Sequence, residues 1–134
     1  MNQLTIKTGA RFEMIDITGR IRNLLKDHKG FTDGLCFIFV PHTTAAVTIN
    51  ENADPDVPRD MITILDRLVP LTGNYRHLEG NSAAHVKASL IGASEWLMVE
   101  NGSLVLGTWQ SVFFCEFDGP RTRKVIVQLL PSKT

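Results

Sequence analysis

Two patterns of apolar residues predict the strands of this chain. Alternating apolar and polar positions are typical of half-buried strands, whereas a short continuous apolar run is typical of a strand covered on both faces. Asn101-Gly102 is a strong signal for a tight hairpin between two of these strands. The patterns predict strands over residues 2–7, 11–16, 35–40, 45–50, 95–100, 103–108, 110–117 and 123–130.

Three other segments repeat their apolar residues at helical spacing. Each has a capping residue at its start and a glycine or proline near its end. The second has the clearest pattern, because Asp54-Pro55 begins it and an apolar stripe follows. The predicted helices run from Thr18 to a stop at Gly30, from Asp54 to a stop at Pro70, and from Asn81 or Ser82 through Ile91.

The predicted element order is ββαββααββββ, without regular alternation of strands and helices. This order favours an α+β fold, in which a mostly antiparallel β-sandwich carries about three helices. The chain has 134 residues and no linker or internal repeat. Residues 1–134 are therefore predicted to form one compact domain.

Charge and composition argue against several classes of protein. Lys and Arg total 14, Asp and Glu total 14, and no block of like charge interrupts this balance. A general binder of nucleic acid or of anionic membranes usually carries a basic excess, so neither partner is expected. The longest apolar run is far too short to span a bilayer. The chain is expected to be cytoplasmic, with Cys36 and Cys115 reduced and buried.

Polar groups concentrate in residues 41–54, 75–87 and 107–123, at strand ends and in loops. Each of the first two blocks carries histidine: His42 ends a buried strand, whereas His77 and His85 lie in a loop and in a first helical turn. Neutral imidazoles at such positions would suit a Zn²⁺ ion with open coordination positions. The alternative is three unrelated histidines, each solvated or satisfied locally.

Carboxylates and cations supply further candidates. Glu51, Glu79 and Glu116 have no obvious structural role and could act as general acids or bases. An anion could be held by the first N–H groups of the third helix and by basic side chains, although such side chains are more often solvated. Trp109-Gln110 could form the wall of a pocket or pack in the core. The basic candidates are Arg76, Lys87, Arg121, Arg123 and Lys124.

Three sequence blocks together resemble the YjbQ family of small cytosolic proteins. They are PHTTAAVTINENADPDV (41–57), YRHLEGNSAAHVKASLIG (75–92) and GTWQSVFFCEFDGPRTRKV (107–125). They follow in the family's order, and the resemblance covers nearly the whole chain. It implies a compact α+β fold with a β-sandwich, assembled as a homotrimer with sites near the subunit interfaces.

The resemblance also implies site residues and cofactors. His42, His77 and His85 are expected to hold a divalent metal ion, zinc in the first place, with magnesium an alternative if the substrate is a diphosphate. Glu51, Lys87 and Glu116 are the expected catalytic residues. Arg121 is added to the expected substrate-binding residues because of its positive charge. The other members of that set are Asn50, Asn52, Trp109 and Gln110.

Members of this family are often described as secondary thiamine-phosphate synthases, which join a pyrimidine diphosphate to a thiazole phosphate. The resemblance therefore implies a small trimeric metal-binding enzyme of this type. Lys87, Arg121 and the metal ion would stabilise the leaving diphosphate, and Trp109 would form a wall for the pyrimidine. Two alternatives stay open: a metal-dependent hydrolase of a phosphorylated or heterocyclic small molecule, and a binding module without turnover.

Overall fold

A computed structural model describes residues 1–77 and 79–132. Its element order is ββαββααββββ, which confirms the predicted order and the α+β class. The strands are β1 (Asn2–Lys7), β2 (Glu13–Asp16), β3 (Gly34–Phe39), β4 (Ala45–Glu51), β5 (Ser94–Glu100), β6 (Ser103–Leu104), β7 (Gln110–Glu116) and β8 (Thr122–Pro131). The helices are α1 (Thr18–Asp27), α2 (Asp56–Leu68) and α3 (Ser82–Ile91).

The strands form two antiparallel sheets that pack face to face. One sheet has the order β1-β8-β3-β5-β6, and the other has the order β2-β7-β4. Alternate residues of each inner face, such as Ile38 and Val127 in the first sheet and Val47 and Phe114 in the second, build the main core. Asn101 and Gly102 both have positive φ, as the predicted hairpin between β5 and β6 requires.

The helices α2 and α3 lie on the outer face of the three-stranded sheet, whereas α1 packs against the main core. Phe113 and Cys115 on β7 point away from the main core and pack against Ala84 and Ala88 of α3 in a second apolar cluster. The helix α2 has no fully buried residue, although its apolar stripe was a clear sequence feature. The structure is thus a sandwich of two sheets with a helical layer on one side.

Several predicted boundaries and roles are wrong. The strand predicted over 103–108 is limited to Ser103–Leu104. Thr18 lies inside α1, where its buried hydroxyl accepts a hydrogen bond from the N–H of Val112 at 2.8 Å and so ties the helix to β7. Helix α1 ends at Asp27, before the predicted stop at Gly30.

Neither cysteine forms a disulfide. Cys36 and Cys115 are free and buried, as predicted. Burial raises the pKa of the Cys36 thiol to about 11 and that of Cys115 to about 12. Separately, no helix within residues 1–77 or 79–132 is long and apolar enough to cross a bilayer.

Candidate functional site

The main candidate site lies at the end of the sandwich where β4 begins and β7 ends. The antiparallel register pairs Ala45 with Glu116, so the chain before β4 and the chain after β7 leave the sheet side by side. The start of α3 joins them. Together they enclose a cavity of about 460 Å³, called here the histidine pocket, lined by Pro41, His42, Thr43, Thr44, His77, Glu79, Asn81, His85, Arg121 and Arg123. The structure therefore brings the three predicted histidines and Arg121 into one cavity.

The ring of His42 is fixed by the neighbouring strand. Its Nε2 lies 2.9 Å from the backbone nitrogen of Lys124, which donates its N–H to it. This bond requires a lone pair on Nε2, so the proton of the neutral ring sits on Nδ1. Desolvation, followed by the positive charge of Arg123, lowers the pKa of His42. His42 is therefore neutral at pH 7.

The other two histidines lie against each other. The ring centroids of His77 and His85 are 5.4 Å apart, and the rings are nearly perpendicular. His77 Nε2 is 3.8 Å from Glu79 Oε2, which gives a protonated His77 an exposed carboxylate partner. Both side chains line the histidine pocket, so a ligand there would meet both imidazoles.

Two arginines make the wall of the pocket basic. Arg121 is half-exposed, and its Nε and Nη2 donate to the backbone oxygen and the carboxylate of Asp118. Arg123 is buried, and its Nη2 donates to Thr44 Oγ1 at 2.8 Å. The guanidinium groups are thus held in place by protein oxygens beside the imidazoles, an arrangement that favours an anionic ligand.

Glu116 does not line the histidine pocket, contrary to the site expected from the resemblance. Its carboxylate lies between the sheets, where it accepts hydrogen bonds from Arg123 Nε at 2.9 Å and Thr8 Oγ1 at 2.8 Å. Burial by itself would raise the pKa of Glu116, but the hydrogen bonds from Arg123, Thr8 and the N–H of Asp118 outweigh it and lower the pKa. Glu116 is therefore a permanent anion that holds Arg123 in place.

Lys87 is also absent from the pocket lining. It is 1% exposed, forms an ion pair with Asp66 of α2, and places its ammonium 4.0 Å from the ring centroid of Phe12. These contacts join α3 to α2 and to the segment before β2. The side chain acts as a link between elements, since the carboxylate and the aromatic ring occupy its charged end.

The remaining predicted residues lie away from the histidines. Glu51 pairs with Gln110 at the far end of β4, about 20 Å from Ala45 at roughly 3.3 Å per residue. Asn50 and the exposed Trp109 belong to the same end. Asn52 lines a different cavity, of about 470 Å³, where its amide donates to Asp16. Within one chain, the residues expected to form a single pocket therefore lie in separate places.

Asn81 is the pocket residue that sequence reasoning missed. It was assigned only as a possible cap of the third helix, and that position is confirmed. The side chain nevertheless makes no cap hydrogen bond. It lines the histidine pocket and donates to Asp118 instead. No local sequence signal separates these two roles, because the partner is 37 residues away.

In the part of the chain that the structure describes, the side chains do not fit a metal centre. Within the described ranges, no group of three or more His, Cys, Asp or Glu side chains is arranged to hold a metal ion. One nitrogen of His42 is already used by the N–H of Lys124. A ligand set for zinc needs at least three protein donors converging on one point.

Sequence and structure comparisons agree on one family. The family model of the UPF0047 protein YjbQ-like group matches residues 2–132. The UPF0047 protein YugU of Bacillus subtilis is 52% identical over 131 residues, covering 97% of this chain and 98% of that protein. A YjbQ/UPF0047 crystal structure from Clostridium acetobutylicum has a TM-score of 0.94 at 51% identity, covering 97% of this chain and 100% of that one.

A more distant structure gives the same result. A protein of unknown function from Sulfolobus solfataricus has a TM-score of 0.92 at 33% identity, covering 98% of this chain and 96% of that one. None of these descriptions names a thiamine-phosphate synthase. With the missing ligand set, they overturn the predicted metal-binding enzyme of that type. The chain belongs to the YjbQ-like UPF0047 family.

Proposed function

We propose that this protein binds a small oxyanion, a carboxylate or a phosphate, in the histidine pocket and exchanges protons with it through the imidazoles. One observation carries the proposal: His42, His77 and His85, from three separate segments, share a cavity with Arg121 and Arg123. Arginine side chains bind such anions through directed N–H donors. Imidazoles are the side chains best suited to proton transfer near neutral pH.

The balance of charge supports an anionic ligand. Arg121 is the accessible cation of the pocket, because Arg123 is buried and neutralised by Glu116. Asp118, the partner of Arg121, is mostly covered and does not line the pocket. Glu79 is the carboxylate among the lining residues, and it lies near His77. A ligand that displaces water from Arg121 therefore gains charge-assisted hydrogen bonds without confronting an uncompensated anion there.

Calorimetric titration with inorganic phosphate and with acetate tests the binding step. We expect saturable binding by the wild type and at least a tenfold loss in Arg121→Gln, because a charge-assisted hydrogen bond contributes about 1.5–3 kcal/mol. Arg59→Gln is the matched control, since Arg59 is an exposed arginine on α2 that does not line this pocket. Unchanged phosphate affinity in Arg121→Gln would contradict the proposal.

Proton exchange is tested by repeating the titration in buffers of different ionisation enthalpy. Uptake or release of protons on binding makes the measured enthalpy depend on the buffer. We expect a fractional proton change for the wild type and a smaller one for His77→Gln and for His85→Gln. A binding enthalpy independent of buffer in the wild type would leave anion binding intact and remove the acid–base role.

We also propose the homotrimer implied by the family resemblance. Its support is an apolar outer face on the five-stranded sheet, where Trp96, Met98, Leu35, Phe39 and Leu130 are exposed. The ring centroids of Phe37 and Trp96 are 4.4 Å apart, so their side chains form a continuous aromatic surface on this face. Further copies of the chain would cover it.

Light scattering after gel filtration tests this assembly. We expect the wild type to have the mass of a trimer and Trp96→Glu to have that of a monomer at micromolar concentration. Trp109→Glu is the control, because Trp109 is equally exposed but lies at the end of the other sheet. A monomeric wild type would end the proposal.

A further inference from the structure

The orientation of the Asn81 amide is fixed by its neighbours. Its Nδ2 donates to Asp118 Oδ2 at 2.9 Å. Asp118 also pairs with Arg121 and lies 3.6 Å from Arg11, so its carboxylate is held by cations and can only accept hydrogen bonds. The NH₂ group of Asn81 must therefore face Asp118, and the carbonyl oxygen Oδ1 must lie on the other side.

Asn81 Oδ1 is a buried acceptor without a donor among residues 1–77 and 79–132. Asn81 is 8% exposed, and among the described residues its Oδ1 is the buried side-chain oxygen or nitrogen that lacks a hydrogen-bond partner. The usual donors, the first N–H groups of the following helix, make no bond to it. A buried polar atom left unpaired is destabilising, so it points to a partner outside the protein.

Asn81 is one of the residues that line the histidine pocket, where arginine and imidazole N–H groups act as donors. Arg121 and the N–H of neutral His42 would bind the negatively charged oxygens of an anion, whereas Arg123 is already paired with Glu116. Asn81 Oδ1 would repel such an oxygen and attract a hydroxyl. Asn81 lines the pocket but its Oδ1 is covered, so the wall must shift before a ligand can donate to this oxygen.

We propose that the anion bound in the histidine pocket carries a hydroxyl group that donates a hydrogen bond to Asn81 Oδ1. The ligand class is thus a protonated phosphate group or a hydroxycarboxylate, and fully ionised sulfate and simple carboxylates are disfavoured. This rests on the proposed function, since it specifies the anion of the same pocket. Asn81 is the residue that sets the specificity.

Pairs of anions matched in shape test the inference directly. Phosphate keeps at least one proton at pH 7, whereas sulfate has none, and glycolate differs from acetate by one hydroxyl. We expect calorimetry on the wild type to give about tenfold tighter binding of phosphate than of sulfate, and of glycolate than of acetate, the value of one net hydrogen bond.

Two variants separate Asn81 from its surroundings. Asn81→Ala should bind phosphate and sulfate with nearly equal affinity, because the selective acceptor is gone. Ser82→Ala is the matched control on the next residue, which does not line the pocket, and should keep the wild-type preference. Circular dichroism confirms that each variant is folded. If Asn81→Ala fails to fold, Asn81→Gly replaces it in the comparison, because glycine also lacks the acceptor and is tolerated at a helix N-cap.

The outcomes distinguish the two proposals. Binding of phosphate and sulfate with equal affinity by the wild type overturns the specificity inference and leaves anion binding in place. No binding of any of the four anions overturns the proposed function itself. A phosphate preference that persists unchanged in folded Asn81→Ala shows that another group selects the hydroxyl, and the role given to Asn81 is then wrong.

Discussion

Glu116 on β7 and Arg123 on β8 form an ion pair that joins the two sheets through the interior. Arg123 Nη2 lies 2.5 Å from Glu116 Oε2, and both side chains are at most 3% exposed. Alternation along the strands explains their burial, because Glu116 shares a face with Val112 and Phe114. The pair lies at the end of the core beside the histidine pocket, which Arg123 lines. It therefore closes the sandwich and fixes one wall of the site.

Breaking this pair from one side is expected to destabilise the fold strongly. Glu116→Gln leaves the guanidinium of Arg123 buried without a counter-charge, and such losses are about 3–5 kcal/mol. The double variant Glu116→Leu with Arg123→Met removes both charges and should lose much less. Urea denaturation measures the free energy of unfolding, with Glu100→Gln as an exposed control. Equal losses in the single and double variants would contradict this account.

The lowered pKa of His42 predicts a dependence of stability on pH. The unfolded chain binds a proton near pH 6.5, whereas folded His42 binds it only at lower pH. The free energy of unfolding should therefore fall as the pH decreases from about 6.5 through the folded pKa, and then level off. His42→Gln should remove this part of the slope, and His28→Gln should keep it. An NMR titration in which His42 protonates above pH 6.5 would reverse the prediction.

Neutralising Asp66 should cost more stability than neutralising Lys87. Asp66→Asn leaves the buried ammonium of Lys87 with a weaker partner, at an expected cost of about 1–3 kcal/mol. Lys87→Met keeps the length of the side chain against Phe12, and the carboxylate of Asp66 stays partly solvated. We therefore expect the smaller loss of thermal stability from Lys87→Met. The opposite order would indicate that the ammonium is needed for more than linking α2 to α3.

The two cysteines should be unreactive in the folded protein. Burial raises the pKa of Cys36 to about 11 and that of Cys115 to about 12, so the thiolate is scarce and covered at pH 8. A thiol reagent should label neither residue in native buffer and both in denaturant. Fast labelling of either residue under native conditions would mean that the strand carrying it opens locally.

Trp109 and Glu51 should not affect binding in the histidine pocket. They lie at the opposite end of β4 and β7 within the chain, so Trp109→Ala and Glu51→Gln are expected to bind phosphate with wild-type affinity. Arg121→Gln supplies the positive comparison in the same titration. A clear loss in Trp109→Ala would mean that a neighbouring copy of the chain brings its Trp109 to the pocket.

The distance between His42 and Glu51 already follows from the strand prediction. A strand over 45–50 puts His42 before its first residue and Glu51 after its last, so one pocket could not include both from the same chain. The resemblance combined them because signature blocks are contiguous in sequence, whereas strand ends are separated in space. Period-two alternation along residues 110–117 likewise places Glu116 on the inner face, together with Val112 and Phe114.

The sequence by itself determined the order of strands and helices, the hairpin at Asn101-Gly102 and the family, because these depend on local periodicity, turn residues and contiguous motifs. Only the tertiary structure decided which polar residues meet. The packing of α3 on β4 brings His85 to the pocket that His42 lines, and the Asp118 carboxylate orients the amide of Asn81. Such contacts join residues far apart in the chain, so their geometry exists only after the sheets have paired.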